Sequence, residues 1–116
     1  MAFFTDDFVS AAINAAKNTT AVLVAAPGAG NQIWVHGLFG RAIADGTVTF
    51  QDSTPTAKSG LIPVTIAAEG TITLPVTPAD SPWFKCADNT SFDAILSANT
   101  DLDGVVVYRI VPTTHA

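Results

Sequence analysis

The sequence predicts an all-β sandwich or barrel of about eight strands with one short N-terminal helix. Three observations carry this expectation. From Thr19 onward apolar residues recur with a period of two, turn signals built on Gly, Pro, Asn and Asp return at short intervals, and the only helix-like stretch ends near Asn18. Residues 1–18 therefore read as a helical arm and 19–116 as one β domain.

In the arm, Thr5 is placed to cap a helix, Asp6 and Asp7 sit in its first turn, and Phe4 is placed to staple onto Val9. Phe8, Ala12, Ile13 and Ala16 make a narrow apolar stripe, and Asn18 reads as a stop. TAVLVAA then runs to the corner Pro27-Gly28-Ala29-Gly30. The long strand from Gln32 to Ala44 follows, where Gly37 and Gly40 suggest a bulge or bend. After the Asp45-Gly46 turn, TVTFQDS sends Val48 and Phe50 inward. GLIPVTIA has Ile62, Val64 and Ile66 on one side, and Pro63 assigns it to an edge. TITL follows Glu69-Gly70 with Ile72 and Leu74 inward. VTPADSP reads as a crossing between layers, and PWFKC and SFDAILS read as a hairpin about Ala87 to Thr90.

The closing strand GVVVYRIV, Gly104 to Val111, has no face made for water. Val105, Val107 and Val111 point one way, and Val106, Tyr108 and Ile110 the other. Gln32 to Ala44 behaves similarly, with Ile33, Val35, Phe39 and Ile43 opposite Trp34, Leu38 and Ala42 unless a bulge alters the parity. Charged residues are 13% of the chain and hydrophobic ones 48%, so the surface is lean in charge. One face is expected to fill the core and the other to meet a sister subunit.

Composition also argues against several partners. Lys17, Arg41, Lys58, Lys85 and Arg109 are scattered and the net charge is -5, which disfavours nucleic acid. The apolar runs fall far short of the ~20 residues of a membrane-spanning helix, and MAFFTDD has no basic leader. A single cysteine, Cys86, cannot form an internal disulfide.

No chemical signature emerges. NTDLDG, Asn99 to Gly104, imitates half a calcium loop, but Ile110 stands where the loop needs Glu. PGAGN lacks the residues of a phosphate cradle. His36 and His115 have no metal-ligand spacing; three copies of His36 about a symmetry axis could bind a metal, but a polar or interface role is the simpler reading. Cys86 reads as a small buried hydrophobe, and Asp93, Asp101 and Asp103 as solvated carboxylates. No enzyme, cofactor or metal site is expected.

In order and spacing, IWV at Ile33 to Val35, GTVTF at Gly46 to Phe50, PWF at Pro82 to Phe84 with the turn after it, and GVVVY at Gly104 to Tyr108 resemble small jelly-roll proteins of tailed-phage virions. Many of these are trimeric capsid cement or decoration proteins. The matching pieces span Val22 to Val111 and leave the arm outside. Where such proteins often carry a glycine after PWF, this chain has Asn89, which tolerates the left-handed conformation.

The resemblance implies an antiparallel jelly-roll sandwich acting as a homotrimer on the outer capsid surface, stabilising contacts between capsomers. Its partners would be itself and the major capsid protein, with no nucleic acid and no membrane, and it would be made in the host cytoplasm. Together with the two-face argument it puts the subunit interface at Trp34, His36, Leu38, Val106, Tyr108 and Ile110. Phe3, Phe4, Phe8 and Ile13 would touch the capsid or a neighbour, and Arg41 and Arg109 would add ion pairs. The competing reading is a head- or tail-fibre binding module for a host receptor or glycan, with Trp83 as the candidate stacking residue.

Overall fold

A computed structural model describes residues 8–42, 44–54, 58–59, 62–64, 70–97 and 101–115. Among these residues the strands are β1 (Val9–Ala15), β2 (Thr20–Val24), β3 (Asn31–Ala42), β4 (Gly46–Asp52), β5 (Ile62–Val64), β6 (Thr71–Leu74), the two-residue β7 (Phe84–Lys85), β8 (Phe92–Leu96) and β9 (Leu102–Pro112). A 3-10 turn at Thr113–His115 follows.

The strands form two antiparallel sheets. One has the order β1-β9-β3-β6, with β7 also paired to β3, and the other β2-β8-β4-β5. The path is that of a long hairpin bent back between β4 and β5, since β4 pairs β5, β3 pairs β6, β2 pairs β8 and β1 pairs β9. Rolling that hairpin over two sheets adds the β3–β9 and β4–β8 pairings, and the product is a jelly roll. β5, with Pro63 at its centre, lies at a sheet edge as expected.

The core lies between the sheets. Ile33, Val35, Leu38, Ala42, Leu102 and Val106 from the larger sheet meet Leu23, Val24, Val48, Phe50, Phe92, Ala94 and Leu96 from the smaller. Three aromatic rings anchor one region: Phe50 to Phe92 at 5.6 Å, Phe84 to Phe92 at 5.8 Å and Phe50 to Phe84 at 5.9 Å between centroids. Ile72 and Leu74 face this core, as their alternation predicts.

Four local expectations need correction. The expected helix is a strand where it is described: β1 keeps an unbroken seven-residue register with β9, and Ile13 and Ala15 are buried on its inner face. A short alanine-rich helix is marginal in water, and a full antiparallel ladder outweighs its propensity. The cap at Thr5, the acidic turn at Asp6 and Asp7 and the staple at Phe4 lie outside the described residues. The arm and body expected to divide at Asn18 are adjacent strands of one sandwich across 16–19, and Asn18 supplies that turn with φ 56°.

PWFKC and SFDAILS do not form a hairpin, because β7 belongs to the five-stranded sheet and β8 to the four-stranded one. The change of layer occurs at 86–91, where Asn89 takes φ 51°. VTPADSP accordingly does not cross between layers; it joins β6 to β7 within one sheet. The bulge that Gly37 suggested lies between Val35 and Gly37 and alters the parity of β3 as such a bulge must, so Leu38 and Ala42 join Ile33 and Val35 in the core while Phe39 turns outward.

Candidate functional site

The outer face of the five-stranded sheet consists of the residues of β1, β9 and β3 that the core does not use. Register arranges them in rows: Asn14, Asp103, Arg41 and Thr71; then Ala12, Val105, Phe39 and Thr73; then Ser10, Val107 and Gly37. Phe39 is 47% exposed and Val105 37%, so the middle row is an open apolar strip bordered by Arg41 and Asp103.

Beyond Gly37 the same face is closed by residues 75–83. This strap is tied to β3 by Thr77 N donating to His36 O at 2.9 Å and Trp83 N donating to Val35 O at 2.8 Å. Its own shape is held by Trp83 Nε1 donating to Pro75 O at 2.8 Å. Gly37 is what lets it lie flat: a Cβ there would meet Val76 Cγ2 at 3.0 Å and Leu74 O at 3.2 Å.

His36, the residue that the bulge adds, is fully buried beside this strap. Arg109 Nε donates to His36 Nε2 at 3.2 Å, so that nitrogen carries the lone pair and the imidazole is neutral, with its proton on Nδ1. Nδ1 then donates to Thr77 Oγ1 at 3.1 Å, and the Thr77 hydroxyl donates on to His36 O at 3.3 Å. Burial first, and the Arg109 guanidinium second, hold the His36 pKa below its ordinary value. Arg109 Nη2 also donates to Ala79 O, fastening β9 to the strap.

Aromatic stacking completes the cluster. Phe8 stacks on His36 with centroids 4.6 Å apart and planes inclined by 15°. Trp34 lies between its cross-strand neighbours Lys85 and Arg109, with Lys85 Nζ 4.4 Å and Arg109 Cζ 5.2 Å from its ring centroid. Its indole N–H is buried and has no hydrogen-bond partner among the described residues.

The expected subunit interface is therefore largely internal to one chain. Leu38 and Val106 are buried core residues, and Tyr108 and Ile110 pack against that core from the inner face of β9. Trp34 and His36 do lie on the outer face, but both are buried within the chain. The two faces of β9 thus have different fates: core for Val106, Tyr108 and Ile110, and on the other side open surface at Val105 but burial at Arg109 and Val111. Of the residues expected to touch a capsid or neighbour, Ile13 is buried inward and Phe8 is partly exposed on His36, while Phe3 and Phe4 lie outside the described residues. Arg41 is exposed and cross-strand from Asp103.

Other candidate groups have structural surroundings. Asp93, expected to be a solvated carboxylate, is instead buried on β8 and accepts from Ser91 Oγ at 2.7 Å, while Asp101 accepts from Lys17 N at 2.7 Å. Asp52, fully buried, accepts from Thr54 N and Ala87 N, both at 3.1 Å, with Lys58 Nζ at 3.3 Å. These bonds pin the layer-changing segment beside Cys86. Burial, followed by the Asp52 charge, pushes the Cys86 thiol up to about 12, the opposite of what a nucleophile needs. Among the described residues no group of three or more His, Cys, Asp or Glu could hold a metal ion.

The exposed residues Phe39, Val105 and Val76 were not singled out by sequence reasoning. The available signal was Gly37 beside a polar His36 in an otherwise apolar strand, which marks a bulge and hence a reversal of faces. Comparisons of the chain with known protein families, with curated proteins and with solved structures find no match.

Proposed function

We propose that this chain is a structural subunit of a tailed-phage virion, a decoration protein that lies on the outer capsid surface and bridges capsomers by binding the major capsid protein and other copies of itself. The observation that supports this reading most is the open apolar strip Ala12, Val105 and Phe39, held flat on a sheet whose other half is fastened by the strap. An apolar surface built on a paired sheet and rimmed by Arg41 and Asp103 loses little conformational entropy on docking, and the two unlike charges at its border give orientation. Each contact of this size is modest, and repetition over a shell raises the effective strength.

Mixing the purified protein with undecorated capsids, then pelleting and imaging them by electron microscopy, tests the reading. Saturable, stoichiometric decoration is expected, and it should be lost in the double variant Phe39→Ser with Val105→Thr while the fold persists. Shells that stay bare with the wild-type protein overturn it.

Trp83 favours a second reading. It is 44% exposed at the end of the strap, near Asp80 and Ser81 in sequence, where a sugar ring could stack and find polar partners. Under that reading the chain is a fibre-borne binding module, and it should be retained on bacterial surface glycans unless Trp83 is replaced by Ala.

A further inference from the structure

Two open sheets leave edges, here β1 opposite β6 and β7 in one sheet and β2 opposite β5 in the other. Exposed edges are templates for strand addition, and proteins blunt them with proline, charge, bulges or brevity. Three of these edges are blunted. β5 has Pro63 at its centre, β6 and β7 are four and two residues long, and the register of β2 breaks between Val22 and Val24.

β1 has none of these devices. Its seven residues, VSAAINA, contain no charge and no proline, and its register with β9 is continuous. In an antiparallel ladder alternate residues aim their N–H and C=O groups away from the paired strand. Among the described residues, no backbone hydrogen bond from elsewhere in the chain reaches that free side of β1.

We propose that β1 is a self-association edge, pairing antiparallel with β1 of a second copy about a two-fold axis at Ala12 and extending the five-stranded sheet across both. The side chains suit this partner. Centred on Ala12, the register sets Val9 against the second copy's Ala15, Ser10 against its Asn14 and Ala11 against its Ile13. Inner residues meet inner residues and outer meet outer, so the core faces of the two sheets stay aligned. Ser10 and Asn14 are small, polar and exposed, and no like charges are opposed along the strand.

The pairing also has a consequence for the outer face. The row Phe39, Val105, Ala12 of one copy meets Ala12, Val105, Phe39 of the other. At the ~4.8 Å spacing of strands, this makes one apolar strip roughly 24 Å across six strands. The inference goes beyond the capsid reading and does not rest on it, and its two-fold pairing departs from the homotrimer that the resemblance to decoration proteins implies.

The test uses the full chain. Sedimentation equilibrium over a wide concentration range should give a monomer–dimer equilibrium for the wild type. A12D and A12K, each placing like charges face to face at the axis, should weaken it by at least about tenfold, and an equimolar mixture of the two should restore a one-to-one dimer. A12C should form an inter-copy disulfide on mild oxidation, with the buried Cys86 taking no part. Circular dichroism checks that each variant is folded, and A12C decides the matter if the charged variants are not. A wild-type mass of one chain at every concentration, a mass of three chains, an A12D dimer of unchanged strength, a mixture that fails to pair, or an A12C that does not cross-link would each overturn the proposal. Capsid pelleting is read separately, so bare shells with an intact dimer reject the virion reading alone.

Discussion

Arg109 donates from Nε to Nε2 of His36 across 3.2 Å, and both side chains are buried on the outer face of the sheet rather than in the core between the sheets. This bond requires a neutral imidazole, so a proton on Nε2 would both remove the acceptor and set a second cation against the guanidinium.

Stability should therefore depend on pH through His36. The folded state lowers its pKa below 6.5, whereas the unfolded chain titrates near that ordinary value and binds the proton more readily. The contribution is full above pH 6.5 and is lost as the pH falls through it toward the folded value. Urea unfolding midpoints should be lower at pH 5.5 than at pH 7.5, and the difference should shrink in His36→Gln. Equal pH dependence in the two proteins would show that another group is responsible.

The strap depends on the missing side chain at residue 37. Gly37→Val places a Cβ 3.0 Å from Val76 Cγ2 and 3.2 Å from a backbone oxygen, with further atoms beyond it, so residues 75–83 should lift. Tryptophan emission should shift to the red as Trp34 and Trp83 meet more water, and limited proteolysis should begin to cut within the strap.

Gly104 is a more severe case. An added Cβ would lie 1.9 Å from Phe39 O and 2.9 Å from Gly40 Cα, where β9 and β3 approach backbone to backbone. Gly104→Ala should disrupt the register that joins these two longest strands. Loss of the cooperative thermal transition, or recovery of only insoluble protein, is the expected readout.

Two phenylalanines of β3 and β4 should behave oppositely. Phe50 is fully buried among Phe84 and Phe92, and Phe50→Ala should cost about 3–5 kcal/mol in chemical unfolding. Phe39→Ala removes a ring that is nearly half exposed and should change stability by no more than about 0.5 kcal/mol, while weakening any partner that docks on the strip. Similar losses for both would mean that Phe39 is not on the outside.

Much of the fold was legible because strands advertise themselves locally. The alternation in β4 and β6, the edge position of β5 implied by Pro63 and the left-handed Asn89 each follow from a few neighbouring residues. The candidate site was much less legible. Trp34 and Tyr108 looked like surplus apolar surface, but a strand pattern says which residues share a side and not what covers it.

The sequence by itself determined an all-β chain and where most of its strands begin and end, because alternation and turn chemistry are short-range properties. Only the tertiary structure decided that Val9–Ala15 is a strand, that Phe39 faces outward and that His36 is buried beside a strap of the same chain. Each of these turns on a partner distant in sequence: β9 supplies the ladder that holds β1, a one-residue bulge against β9 reverses the faces of β3, and residues 75–83 cover what the reversal exposes.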